Sequence, residues 1–156
     1  MADDVIGASN VIGFYRSSDP YGFLSNLYPC LIEMDGRQFP SAEHAYQWAK
    51  PLEPSVRSWL VSAPKPDIIA TTAHALMPWH VRPDWSTYKV ERMREVLKFK
   101  FEQHPDLMEK LVATGKSELV ELSNIDAFWG VGKKGNGKNM LGVLLMELRG
   151  EIGRQK

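Results

Sequence analysis

The chain has 156 residues, 44% apolar, with six Phe, five Trp and five Tyr, and its nineteen Lys and Arg balance nineteen Asp and Glu. That length fits one domain with an ample core, while the balanced charge excludes a global polyanion-binding surface, so any anion site must be local. The single Cys30 excludes an internal disulfide framework and a zinc site built on a Cys cluster, no apolar run approaches a membrane span, and Asp3 and Asp4 replace the basic start of a signal peptide; an intracellular, cytoplasmic protein is expected.

In chain order, residues 1–12 read as a flexible terminus, with a short strand possible from Val11 to Tyr15. The stretch RSSDPYGFLSNLYP that follows is a loop carrying Tyr21, Phe23 and Tyr28, which either fold onto the core or offer a stacking face to a planar ligand. From Leu31 to Phe39, two short runs flank Asp35-Gly36, the pair that favours a type I′ hairpin. Ser41 is then placed to cap a helix through residues 42–50 that stops before Pro51. On it Glu43, Gln47 and Lys50 share one face at intervals of four and three, while Ala45, Trp48 and Ala49 turn inward. A polar stripe of this kind is usually a solvated face, but this helix is short, aromatic and bounded by prolines, as buried elements are.

Pro54 and Pro66 open two further short helices, reaching Leu60 and Ala75. The run MPWHVRPDW reads as a loop whose two tryptophans and His80 form a ligand wall or, the preferred reading, a corner packed on the bundle, and His74 and His80, six apart, share no helical face on which to bind a metal. Ser86 or Thr87 is expected to cap the longest helix, to about Gln103, with Val90, Met93, Leu97 and Phe101 inside and Lys89, Arg92, Arg94, Glu95 and Lys98 on a solvated face. A helix from Pro105 to Gly115 and a possible strand over Glu118 to Leu122 complete the framework.

The segment from Asn124 to Arg149 concentrates Gly130, Gly132, Gly135 and Gly137 with Lys133, Lys134 and Lys138, just before Leu141, Leu144, Leu145 and Leu148 at helical spacing. Glycine amides and lysines at a helix N-terminus predict a phosphate site. Its spacing from Gly132 to Lys138 is that of a P-loop, but Asn139 replaces the magnesium-binding Ser or Thr and no apolar strand precedes it, so a P-loop NTPase is excluded; a dinucleotide fold fails for lack of a βαβ unit. Upstream, Asp126 beside Phe128 and Trp129 is placed to act as an acid or base.

The motifs FPSAEHAYQWAK from Phe39, NIDAFWG from Asn124, GNGKNMLG from Gly135 and LMELR from Leu145, with Phe23-Leu24-Ser25-Asn26 upstream, together resemble the NADAR family of YbiA-like proteins over nearly the whole chain. The chain departs from the family pattern by carrying Pro83 within Arg82-Pro83-Asp84-Trp85, where Arg, Asp and Trp adjoin. The resemblance implies a single domain over residues 13–150, mainly α within the α+β class, a compact orthogonal bundle of short helices with a small N-terminal β-hairpin. It implies an N-glycosidase that needs no cofactor or metal, acting on a ribose joined to a base nitrogen. It implies catalytic roles for Glu43, Lys50 and Asp126, with Lys50 forming a Schiff base with the opened ribose. Substrate contacts are implied at Arg16, Phe23, Ser25, Asn26, Trp85, Trp129, Gly130, Gly135, Gly137, Lys138 and Asn139.

A Schiff base needs a neutral Lys50 amine, which burial favours and an ionised Glu43 opposes. The rival mechanism uses Glu43 and Asp126 as a glycosidase pair, with Lys50 holding a phosphate. Several lysines and glycines suit the diphosphate of ADP-ribose better than a single phosphate, so the expected substrate is ADP-ribosylated guanine in DNA, handled by a monomer. Phosphorylated riboflavin-pathway intermediates are the alternative substrate. A non-catalytic ADP-ribose or NAD reader is the alternative class, and would bind without needing Glu43 and Lys50 together.

Overall fold

The structure, a computed structural model, describes residues 10–155. The expected flexible terminus lies outside the described residues up to residue 9, and regular structure begins at Val11. The described residues form six α-helices and four strands, an α+β fold dominated by helices, and their contacts divide into two compact units.

The unit over residues 26–104 begins with a hairpin of β1, Pro29–Met34, and β2, Arg37–Ser41. Ile32 faces Phe39 across it and both are buried. Asp35 and Gly36 both have positive φ, 55° and 71°, as the expected type I′ turn requires. Helix α1, Ala42–Trp48, starts where Ser41 Oγ accepts the His44 N–H at 3.1 Å. Its other neighbours are α2, Pro54–Val61, and α3, Pro66–His74, which meet through Leu60, Ile69 and Ala73, and α4, Trp85–Gln103.

Helix α4 departs from expectation in two ways. It starts before Ser86, with Asp84 at the cap position, and the Thr87 hydroxyl donates to the Asp84 carbonyl. Arg92 is not on a solvated face: it is 2% exposed, donates twice to the Ala45 carbonyl at 2.7 and 3.1 Å, and pairs with Asp35 at 2.7 Å. One guanidinium thus ties the hairpin turn to both helices, which its forked donors allow. Lys100 is wholly buried, with its ammonium 5.3 Å from the Phe101 ring centre and 5.7 Å from that of Tyr28. At the end of α4 the Gln103 amide bonds both the N–H and the carbonyl of Glu33, taking the place of a neighbouring strand along β1.

The other unit joins residues 10–25 to 105–155. Strand β3, Val11–Phe14, pairs parallel with β4, Glu118–Glu121, which follows helix α5, Pro105–Ala113. Helix α6, Met140–Arg154, closes the unit against β4 with Leu141, Leu144, Leu145 and Leu148 buried. Its Gly142 lies so close to β4 that an added Cβ would stand on the Leu119 carbonyl oxygen. Gly142→Ala, which raises helix propensity, is therefore expected to lower stability by about 2 kcal/mol in denaturant titration. Among the described residues no helix is long and apolar enough to cross a membrane.

Candidate active site

In the unit of residues 26–104, α1 brings Glu43 and Gln47 to one face, as the spacing predicts, but it ends at Trp48 instead of running through residue 50, so Lys50 lies beyond it. The Gln47 Nε2 donates to Glu43 Oε1 at 2.9 Å, and the Glu43 N–H donates to the Asn26 carbonyl at 3.1 Å, so Asn26 sits at the first turn of the helix. Lys50 follows the helix end, half-buried. Its Nζ donates to the Ala73 carbonyl at 2.9 Å, and its own carbonyl accepts the Arg82 N–H at 2.9 Å. The Lys50 pKa is lowered, first by burial and then by the positive charge of Lys89, against a smaller upward pull from Glu43. Burial thus outweighs the carboxylate.

His44, within the same motif, is structural. Its Nε2 lies 2.9 Å from the Ala63 carbonyl and its Nδ1 2.7 Å from Ser41 Oγ. A neutral ring that donates from Nε2 and accepts at Nδ1 satisfies both, and burial lowers its pKa in keeping with that state. On the opposite side of α1, the Trp48 ring meets three guanidiniums, Arg57 at 4.0 Å from its centre, Arg92 at 5.6 Å and Arg37 at 5.8 Å. Arg82, bonded to Asp84, lies over Tyr88 at 3.8 Å.

Trp85 stacks at a tilt on Tyr46, 5.1 Å between ring centres, and only partly faces solvent. The expected corner holds for Trp85 and fails for Trp79, which is 75% exposed on a short turn, Pro78–His80. Proline at the start of that turn and again at Pro83 fixes the backbone with Trp79 outward. It borders a groove of about 460 Å³ lined also by Leu52, Glu53, His80 and Arg82.

The second set of expected residues belongs to the other unit, where the phosphate-loop expectation is corrected. The amides of Gly137, Lys138, Asn139, Met140 and Leu141 donate to the carbonyls of Val131, Ala127, Gly130, Phe128 and Trp129 at 2.7–3.1 Å. The N-terminal amides of α6 are thereby engaged by backbone, not presented to an anion. Close packing of these two segments also explains Gly137, where a Cβ would lie 2.6 Å from both the Ala127 and Gly130 carbonyl oxygens, and Gly130, where it would press on Glu121 and Ser123. Gly135 is open and exposed. Asn139, buried with φ 52°, spends its amide on β4: Nδ2 donates to the Leu119 carbonyl and Oδ1 accepts the Glu121 N–H, both at 2.9 Å. Its side chain is scaffold.

Asp126 Oδ1 accepts the N–H groups of Phe128 and Trp129 at 2.9 and 2.8 Å, a turn-forming duty that competes with proton transfer. Trp129 meets Phe128 edge-on at 4.9 Å, and Lys138, exposed, sits 5.6 Å from the Phe128 ring centre. Phe23 is 6% exposed within the turn Gly22–Leu24 and so presents little ring face to a ligand; Tyr21 beside it is 40% exposed. Ser25 is buried, and Arg16 is exposed with its backbone N–H on Asp19. Gln47, on the face of Glu43, and Lys89, near Lys50, add to the expected site residues as their partner and neighbour. The spacing of four flagged the first, but only the packing of α4 on α1 reveals the second.

The NADAR domain family matches residues 13–153. The N-glycosidase YbiA of Escherichia coli (strain K12) is 39% identical over 146 residues, covering 94% of this chain and 91% of that protein. A riboflavin biosynthesis protein of Vibrio vulnificus (strain YJ016) is 39% identical over 141 residues, 90% of this chain but 38% of that longer protein. The NMR structure of the E. coli protein YbiA superposes with a TM-score of 0.84 at 38% identity, covering 94% of this chain and 87% of that one. The chain belongs to the NADAR family.

Proposed function

We propose that this protein is an N-glycosidase that removes ADP-ribose from guanine in ADP-ribosylated DNA through a Schiff base on Lys50. The observation that carries the reading is Lys50 itself: a half-buried amine with a lowered pKa, just beyond the end of the helix that carries Glu43. Relatives named N-glycosidases, alike over nine-tenths of both chains, supply the reaction class. Glu43 donates a proton to the ribose ring oxygen as the C1′–O bond breaks and the base nitrogen forms a C=N bond. The neutral Lys50 amine adds to C1′, the base leaves with a proton, and an iminium joins Nζ to C1′. Water adds to C1′, its proton passing to the Glu43 carboxylate, and Lys50 departs as the aldehyde recloses to ribose. The net change is one water consumed, with free base and ADP-ribose formed.

Side-chain charge for a diphosphate comes from Arg57 and Arg82 of the unit of residues 26–104. Trp79, exposed on its groove, offers a stacking face for a base. Hydrolysis of a phosphorylated riboflavin-pathway intermediate is the second reading, favoured by the similarity to the riboflavin biosynthesis protein of V. vulnificus. The test is to incubate wild type and Lys50→Ala with a single-stranded oligonucleotide carrying ADP-ribosyl-guanine and, in parallel, with the riboflavin intermediates, and to measure released sugar phosphate. Release of ADP-ribose by wild type alone supports the proposal. Release only from the intermediates transfers the reading to them, and binding without release from either leaves a non-catalytic reader.

A further inference from the structure

The groove beside Trp79 carries a group that the reaction scheme leaves unused, the carboxylate of Glu53. At about 460 Å³ the groove has the size of a small-ligand site, and two charged side chains line it, Glu53 and Arg82. Asp84 engages the Arg82 guanidinium through two bonds, at 2.7 and 3.2 Å. Glu53 stands at the start of α2 without capping it, and the Ser55 hydroxyl donates to its Oε1 at 3.0 Å, filling one of about four acceptor sites on a carboxylate. Both oxygens therefore keep acceptor capacity. The groove is also tied to Lys50: Leu52 and Glu53 follow that lysine after one proline, and the Arg82 N–H donates to its carbonyl at 2.9 Å.

We infer that this groove is a guanine subsite, in which Trp79 stacks on the base and the Glu53 carboxylate accepts the two adjacent N–H groups of its pairing edge, selecting guanine over adenine. Guanine presents N1–H and the 2-amino group side by side, two donors that match the two oxygens of a carboxylate. Adenine presents a donor beside a bare ring nitrogen, whose lone pair would oppose a carboxylate oxygen. A base taken out of its stack is read by hydrogen bonds to this edge and by stacking on an aromatic face, and the groove supplies a group for each. Where a ribose is carried on the exocyclic nitrogen, one N–H remains there, so both donors persist and the scissile bond lies beside Glu53, three residues from Lys50. The inference rests on the reading of guanine as the leaving base and adds the groups that choose it.

Calorimetric titration with the 5′-monophosphates of deoxyguanosine, deoxyinosine and deoxyadenosine tests it apart from catalysis. Wild type is expected to bind the guanine compound at least about tenfold more tightly than the adenine one, with hypoxanthine, which lacks the 2-amino group, between them. Glu53→Gln keeps the shape but exchanges an acceptor for a donor, and should bring guanine and adenine within about twofold. Trp79→Ala should weaken all three by about tenfold and keep their order, because every base has a ring face to stack. Both side chains are exposed, so neither variant threatens the fold. Equal binding of the three bases by wild type, binding of none, an undiminished guanine preference in Glu53→Gln, or unchanged affinity in Trp79→Ala overturns the inference. Release of ADP-ribose from modified DNA, measured alongside, keeps the two readings apart: release without a base preference sinks the subsite alone, and a guanine preference without release sinks the DNA substrate alone.

Discussion

Lys50→Arg is expected to abolish base release, lowering kcat by about a thousandfold or more, while the protein folds as before. Arginine keeps a positive charge and donors for the Ala73 carbonyl, but its guanidinium cannot form an imine with an aldehyde. Near-normal activity would eliminate the Schiff base and leave Lys50 as a phosphate-binding charge. The pH dependence follows from the same residue. The amine must be neutral to attack, so activity should rise with pH through the Lys50 pKa, at a midpoint below the 10.5 of an ordinary lysine. Lys89 contributes to that depression, so Lys89→Met should move the rising limb to higher pH. A limb unmoved by Lys89→Met would show that another group sets it.

Lys100→Met is expected to flatten the pH dependence of stability, removing a rise on the order of 3 kcal/mol between about pH 8 and 10.5. Burial brings the Lys100 pKa down to about 8, against an ordinary 10.5. The sign is fixed by proton binding. Between those two values the unfolded chain holds a proton that the folded chain has released, so stability of the wild type should increase with pH across that window. Below about pH 8 the ammonium is charged in both states, and its burial in the fold opposes folding at a constant cost. Denaturant titrations of both proteins from pH 7 to 10 measure the difference, and parallel curves would refute it.

Much of the local structure was legible because short-range chemistry decides it. Asp35-Gly36 dictated a turn with two positive φ values, Ser41 a capped helix, and the prolines at 54 and 66 the starts of two more. The interval of four placed Glu43 and Gln47 on one face of α1, and helical periodicity fixed that before any packing was known, while the helix end at Trp48 left Lys50 beyond it. Arg92 and Lys100 were not legible in this way. Both are charged residues on a charge-rich helix, and their burial follows from what meets α4: the Ala45 carbonyl and Asp35 for one, two aromatic rings for the other.

The glycine-rich loop marks the division most clearly. Its sequence determined that backbone must approach something closely, since Gly130, Gly137 and Gly142 leave no room for a Cβ. What it approaches was decided by tertiary structure: the donors of 137–141 meet the carbonyls of 127–131, because an amide at a helix start bonds whichever acceptor the fold brings nearest. The sequence by itself thus determined the family, the helix face of Glu43 and Gln47 and the turns around it. Only the three-dimensional packing decided which way the Lys50 proton equilibrium leans, because burial and the charge of Lys89 come from residues distant in the chain.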